Sequence, residues 1–156
     1  MTLPVPPDDV GRWFHALPEE ARPVLLGLRA LVHDLASQHD LGPVAEALKW
    51  GEPSFAVRSG TPVRLGWSED RPDVCRVLVH CQTSVVSVVR DLYGATLTLE
   101  GTRAAVLDLH APIPAGVRHM VLLALTYKRV RDLPALGTGT APLTAAGSTA
   151  RPTPRR

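Results

Sequence analysis

The sequence predicts an α+β fold in which an antiparallel sheet of about six strands packs against helices. Apolar residues recur at helical spacing near both ends of the chain, whereas the middle, from about residue 44 to 109, alternates with a period of two. Short turns join successive strands, which indicates antiparallel pairing. The predicted order is α-α-β-β-β-β-α-β-β-α, within a single domain over residues 1–134.

The two N-terminal helices are predicted from capping residues and from one apolar stripe. Asp8 and Asp9 suit the start of a short helix over residues 10–16. Pro18 suits the first position of a second helix, although Pro23 indicates a kink or a later start. The apolar positions of this helix share one face, and they are Val24, Leu25, Leu28, Leu31, Val32 and Leu35.

Four strands are predicted next, over residues 44–50, 53–58, 63–67 and 74–82. Phe55 and Val57 fall on one face of the second strand. In the third strand Val63 and Leu65 alternate with polar or small residues, which is typical of a half-buried strand.

The remaining elements are a helix, a hairpin and a final helix. Residues 85–92 have helical spacing, although their valine content favours a strand as the alternative. Residues 95–100 and 103–109 form the hairpin, and Pro114 opens a helix that runs to about residue 130. Residues 135–156 are mostly Gly, Thr, Ala, Ser, Pro and Arg with few large apolar residues, which predicts a disordered tail.

The charge distribution argues against a nucleic-acid partner. The chain has 17 Lys and Arg against 15 Asp and Glu, but three of the arginines lie in the tail. The body is therefore left with 14 basic and 15 acidic residues, a net charge of −1. Nucleic-acid binders usually depend on a basic surface that displaces counterions.

A cytosolic location is predicted from the termini and the cysteines. The N-terminal residues lack the pattern of a secretion signal, and the longest apolar run, residues 120–125, is far shorter than the ~20 residues of a membrane span. Cys75 and Cys81 in one strand would lie ~20 Å apart. A disulfide requires about 7 Å or less between Cα atoms, so free thiols are expected.

The stretch KWGEPSF, residues 49–55, is either a ligand site or a structural corner. If the stretch is a ligand site, Trp50 would form a pocket wall, Glu52 would accept a hydrogen bond from the ligand and Ser54 would donate one. As a corner, Gly51 would permit the bend, and Trp50 and Phe55 would fill the core. Because a corner does not require Glu52 or Ser54, these two are the residues to test for a function.

His80 is the fourth candidate ligand-binding residue. It alternates with Val79 and Cys81, which share a predicted core face with Cys75 and Val77. No zinc-type ligand spacing, nucleophile elbow, phosphate loop or dinucleotide fingerprint occurs in the sequence. No catalytic residue or metal ligand is therefore assigned, and a non-enzymatic role is favoured over that of a small hydrolase or transferase.

Several segments resemble the YdhG-like family of bacterial domains of unknown function. They are LPEEAR at 17–22, ALKWGEPSF at 47–55, VHCQT at 79–83, RDLYG at 90–94, LEGTRAAVLDL at 99–109 and LALTYKR at 123–129. The resemblance covers roughly residues 11–134 and implies an α+β domain with an antiparallel sheet. It supplies no ligand set that maps onto this chain.

Two functions follow as hypotheses. The first is a cytosolic module that binds a small molecule or a protein partner through Trp50, Glu52, Ser54 and His80, without a cofactor. The alternative follows from the resemblance, because some relatives are described as frataxin-like iron chaperones.

Overall fold

A computed structural model describes residues 2–138. The helices are α1, Asp8–His15; α2, Arg22–Gln38; α3, Val85–Tyr93; α4, Ala115–Leu125; and α5, Tyr127–Val130. The strands are β1, Ala45–Lys49; β2, Glu52–Ala56; β3, Val63–Gly66; β4, Val74–Leu78; β5, Thr98–Glu100; and β6, Ala104–Asp108. This order confirms the predicted α+β fold, and the valine-rich α3 is a helix rather than a strand.

The strands form one sheet of six in the order β1-β2-β3-β4-β6-β5. Neighbouring strands all pair antiparallel. Strands β1 to β4 follow one another as a meander. α3 then carries the chain to the far edge, and β6 returns between β5 and β4.

One face of the sheet carries the hydrophobic core. Phe55, Leu65 and Val77 point to this face and are at most 1 % exposed. They join a single buried cluster with helix residues such as Leu25 and Met120. Burying each such side chain contributes roughly 1.5–3 kcal/mol, so the alternation of the strands fixes which face meets the helices.

The turn between β2 and β3 is fastened to the end of α4. Ser59 Oγ donates to the carbonyl of Leu125 at 2.7 Å, and the Thr61 amide donates to the carbonyl of Ala124 at 2.8 Å. Gly60 lies so close that a Cβ there would come within 2.4–2.6 Å of backbone atoms of Ala124 and Leu125. Only glycine allows the turn to come this close to α4. The two hydrogen bonds use carbonyls that the end of a helix leaves unpaired.

The predicted start of the first helix is wrong by two residues, whereas for the second helix the later of the two predicted starts is correct. Pro7 is the N-cap of α1, so that Asp8 and Asp9 lie inside the first turn, where their charge favours the positive end of the helix dipole. α2 begins at Arg22 with Pro23 in its first turn, as the later start predicts. Pro18 belongs to the preceding turn, where its carbonyl accepts from the Ala21 and Arg22 amides.

The fourth strand is shorter than predicted, which corrects the position of one cysteine. It ends at Leu78, and Cys81 is exposed instead of lying in the core. Cys75 is buried, as predicted, and burial raises the pKa of its thiol to about 11. Both cysteines are free thiols.

The packed part of the chain continues beyond the predicted boundary at residue 134. Pro134–Gly137 forms a single turn, and Leu136 in this turn is buried in the core. Residues 139–156 of the predicted tail lie outside the described residues. Among residues 2–138, no helix has both the length and the apolar character needed to cross a membrane.

Candidate functional site

The candidate site lies on the face of the sheet that points away from the core. We call this the open face and define it by Glu52 and Ser54 of β2, Arg64 and Gly66 of β3, and Arg76 and Leu78 of β4. These residues occupy the alternate strand positions to those of the core. Ser54 and Leu78 are each 5 % exposed although neither belongs to the main hydrophobic cluster.

A tight turn forms one end of the open face. Lys49 pairs with Glu52 across β1 and β2, so only Trp50 and Gly51 form the turn. Both have positive φ, 56° and 77°, as a type I′ hairpin turn requires. Asn and Gly are the usual residues at these positions, and Trp in the left-handed region is strained.

Trp50 does not fill the core. It is 91 % exposed, so the prediction that it packs beside Phe55 is wrong for Trp50 and right for Phe55, which is fully buried. The physical reason is the turn, because a residue at the tip of a two-residue hairpin has little chain around it to pack against. The corner prediction is correct for the backbone, since Gly51 takes the positive φ that the turn needs.

A cavity of about 690 Å³ lies on the open face and reaches the turn. All four residues predicted from the sequence line this cavity, namely Trp50, Glu52, Ser54 and His80. The structure also places cationic side chains there that the sequence analysis missed, namely Lys49, Arg64, Arg76 and Arg103. Arg64 and Arg76 share the strand alternation of Ser54 and Glu52, so the register would have indicated them.

Glu52 lies between two arginines. Its Oε1 is 3.7 Å from Arg64 Nε, and its Oε2 is 3.5 Å from Arg76 Nη2. The side chains of Glu52, Arg64 and Arg76 are 20, 19 and 33 % exposed. At these distances the contacts are long for hydrogen-bonded ion pairs, so much of the donor capacity of the two guanidinium groups has no partner within residues 2–138.

Gly66 creates the space in which this cluster sits. A Cβ at position 66 would lie 2.6 Å from Glu52 Oε2 and 3.0 Å from Arg76 Nη2. The missing side chain therefore lets the carboxylate and the guanidinium meet over the backbone of β3.

The charge of the cavity is positive. Its lining contains one carboxylate, Glu52, and four basic side chains, namely Lys49, Arg64, Arg76 and Arg103. With His80 neutral, this gives an excess of three positive charges on a body whose own net charge is −1. The concentration of positive charge is thus local, and it favours an anion at this place.

Two uncharged polar groups complete the lining. The Ser54 hydroxyl is buried, and among residues 2–138 no hydrogen bond to it is found. His80 is exposed, and its Nδ1 accepts from the Gln82 amide at 3.1 Å. In neutral His80 the proton is therefore on Nε2, which makes that nitrogen a donor.

A second charged cluster lies on the core side of the sheet. Glu46 accepts from Arg29 at 2.7 and 2.9 Å and meets His33 Nε2 at 2.9 Å. Arg29 also donates to the carbonyl of Pro4, which ties the N-terminal segment to α2. Burial opposes ionisation of Glu46, but Arg29 and His33 outweigh it and lower the pKa of that carboxyl.

No group of three or more His, Cys, Asp or Glu side chains suited to a metal ion occurs within residues 2–138. His119 and Tyr93 form a separate pair, with Tyr93 Oη 2.7 Å from His119 Nδ1. Burial lowers the pKa of His119, which favours the neutral imidazole.

Comparison with known proteins adds no relative to this description. A scan against protein-family models, a search of the curated proteins and a search of the solved structures each gave no match.

Proposed function

We propose that this chain is a binding module for a small anionic ligand, which it holds in the cavity of the open face. The observation that carries the proposal is the concentration of four cationic side chains against one carboxylate around a single concave space. The volume of about 690 Å³ lies in the range of small-molecule sites. The role is binding, and no catalytic residue is assigned.

The arginines supply the anion contacts. Arg64 and Arg76 stand on adjacent paired strands, so their positions are set by the sheet rather than by a loop. A guanidinium offers a fork of donors that matches the oxygens of a carboxylate or phosphate. Glu52 holds the two side chains near each other and compensates part of their charge when no ligand is bound.

Ser54 and His80 contribute the polar contacts that choose among anions. The buried hydroxyl of Ser54 gains a partner when a ligand oxygen occupies the floor of the cavity. His80 Nε2 donates from the rim. Lys49 and Arg103 are exposed, so they attract the anion at longer range, and added salt weakens this attraction.

The test is calorimetric titration with inorganic phosphate, sulfate and citrate, supported by thermal unfolding. At ten times its Kd a ligand stabilises by about 1.4 kcal/mol, which raises the Tm by a few degrees. We expect saturable binding that weakens with salt and is lost in Arg64→Gln/Arg76→Gln. Arg129→Gln/Arg131→Gln is the matched control, because it removes the same charge and both arginines are exposed and do not line the cavity. Absence of binding by every anion, or equal binding by the double variant, contradicts the proposal.

Iron handling is the alternative proposal, and it depends on the sequence resemblance. Ferrous iron added without oxygen distinguishes the two functions. The anion-binding proposal predicts no iron-dependent rise in Tm, because the cavity repels cations. Saturable binding at micromolar iron would favour the chaperone function.

A further inference from the structure

We propose that the anion bound on the open face is a phosphate ester carrying a planar ring, of the chemical class of a nucleoside monophosphate. This inference rests on the proposed function and adds the identity of the uncharged part of the ligand. It is carried by Trp50, which the charge argument does not use.

The backbone conformation of Trp50 is unfavourable, and packing of its side chain within residues 2–138 does not offset this cost. Its φ of 56° is unfavourable for a bulky residue, and its side chain is 91 % exposed. Asn or Gly at this position would form the same turn with less strain. A strained, exposed tryptophan that lines a cavity is explained by a contact with a ligand.

The partner of Trp50 is a flat ring rather than a cation. Tryptophan faces attract cations and also stack on planar rings. The neighbouring Lys49, Arg64, Arg76 and Arg103 disfavour a cationic ligand at this place. An aromatic or heteroaromatic ring attached to an anion would stack on Trp50, and the anion would compensate the surrounding positive charge.

One cavity extends from the arginines to the turn that carries Trp50. Lys49 pairs with Glu52, Glu52 lies beside Gly66, and Gly66 pairs with Arg76. Three strand spacings therefore separate the Cα atoms of Lys49 and Arg76, or about 14 Å, although the Arg76 guanidinium reaches back over Gly66 to 3.5 Å from Glu52. A phosphate ion at the arginines fills only part of a cavity of about 690 Å³, whereas a phosphate ester with a sugar and a ring can also contact Trp50.

The excess of positive charge favours a phosphate ester over a carboxylate. A phosphate monoester carries a charge of about −1.5 to −2 at pH 7 and offers three acceptor oxygens. A single carboxylate would compensate only one of the three excess charges of the lining. The phosphate group also gives Arg64, Arg76 and Ser54 separate oxygens to bind.

The experiment compares ligands that differ by one part. Adenosine, guanosine, cytidine and uridine 5′-monophosphates are titrated beside ribose 5-phosphate, inorganic phosphate and adenosine. We expect at least one nucleotide to bind about fivefold or more tightly than ribose 5-phosphate, since stacking on an aromatic residue supplies such a factor. Adenosine alone binds weakly, and nucleotide binding quenches tryptophan fluorescence.

The variant Trp50→Asn isolates the ring contact. Asn suits the turn, so this variant remains folded. We expect its nucleotide affinity to fall to the level of ribose 5-phosphate, whose own affinity does not change. Trp50→Phe, which retains a ring, recovers part of the difference, and Trp67→Phe is the control because Trp67 does not line the cavity.

The two proposals fail in different ways. If phosphate and ribose 5-phosphate bind but the base adds no affinity, or if Trp50→Asn binds nucleotides as the wild type does, the ring contact is wrong and anion binding stands. If no phosphate compound binds and sulfate and citrate do not bind either, both are wrong. Affinity that rises with the length of a single-stranded oligonucleotide would overturn the assignment to a mononucleotide in favour of a polymer.

Discussion

The two faces of the sheet each carry a glutamate shared by two basic side chains, and the two clusters differ in almost every physical respect. Glu46, with Arg29 and His33, is 5 % exposed and its contacts measure 2.7–2.9 Å. Glu52, with Arg64 and Arg76, is 20 % exposed and its contacts measure 3.5–3.7 Å. Similar chemical groups are thus buried with short contacts on one face and partly exposed with long contacts on the other.

The difference separates a structural cluster from the cluster that we propose binds a ligand. Arg29 makes two hydrogen bonds to Glu46 and one to the Pro4 carbonyl, and a buried pair of this kind is costly to break. The Glu52 cluster borders a cavity, and its ion pairs contribute at most about 1 kcal/mol to stability because water screens them. The first cluster therefore stabilises the fold, and the second is the one whose donors our proposal assigns to a ligand.

The largest expected effect comes from removing Glu46. Glu46→Ala leaves Arg29 and His33 without their acceptor in a buried place, and we expect the free energy of unfolding to fall by about 3–5 kcal/mol. Urea denaturation followed by circular dichroism measures this loss. The matched change on the open face, Glu52→Ala, should cost less than about 1 kcal/mol. Equal losses in the two variants would contradict the distinction between the clusters.

The same cluster predicts a dependence of stability on pH. The pKa of Glu46 in the folded state lies below its ordinary value of 4.5. The ionised carboxylate therefore stabilises the fold above pH 4.5, and this stabilisation is lost as the pH falls through the lower folded-state pKa. Denaturation at several pH values should show the difference between wild type and Glu46→Gln shrinking below pH 4.5. A difference that grows with acidity would show the opposite sign of the pKa shift.

The sequence predicts the sheet well because alternation reports which side of a strand is buried. Phe55 and Cys75 lie on the core face for this reason. The prediction that Trp50 is buried is wrong because it used hydrophobicity alone. The pairing of Lys49 with Glu52 puts Trp50 at the tip of a turn. That pairing is a property of two strands together, and the composition of either strand alone does not contain it.

The charged clusters are harder to predict for a related reason. Arg29 stands within the apolar stripe of α2, and its partner Glu46 is 17 residues away on β1. Arg64 and Arg76 meet Glu52 only when three strands are in register. Contacts of this kind depend on tertiary structure, so the sequence analysis found Glu52 and Ser54 but missed the arginines around them.

A smaller effect, of opposite sign, is expected at the turn of the open face. Trp50→Asn replaces a strained residue by one that suits a type I′ turn, and we expect the free energy of unfolding to rise by about 1 kcal/mol. Urea denaturation measures the gain, and Arg131→Gln, which leaves the turn and the cavity lining unchanged, is the control. A gain in stability together with a loss of nucleotide binding would show that the strained backbone of Trp50 is retained because its side chain binds the nucleotide. A loss of stability would mean that Trp50 packs within the fold after all.

The smallest effect on stability is expected at Gly66, and it sharpens the comparison most. The Cβ of Gly66→Ala meets the ends of two flexible side chains, Glu52 and Arg76, which can move aside. We expect a change in unfolding free energy of less than about 1 kcal/mol, together with weaker phosphate binding because Arg76 is displaced. Gly60→Ala is the matched contrast, since its Cβ meets the backbone of Ala124 and Leu125 at 2.4–2.6 Å and must distort the end of α4. If Gly66→Ala lost as much stability as Gly60→Ala, the open face would be part of the structural framework and the division between the two clusters would be wrong.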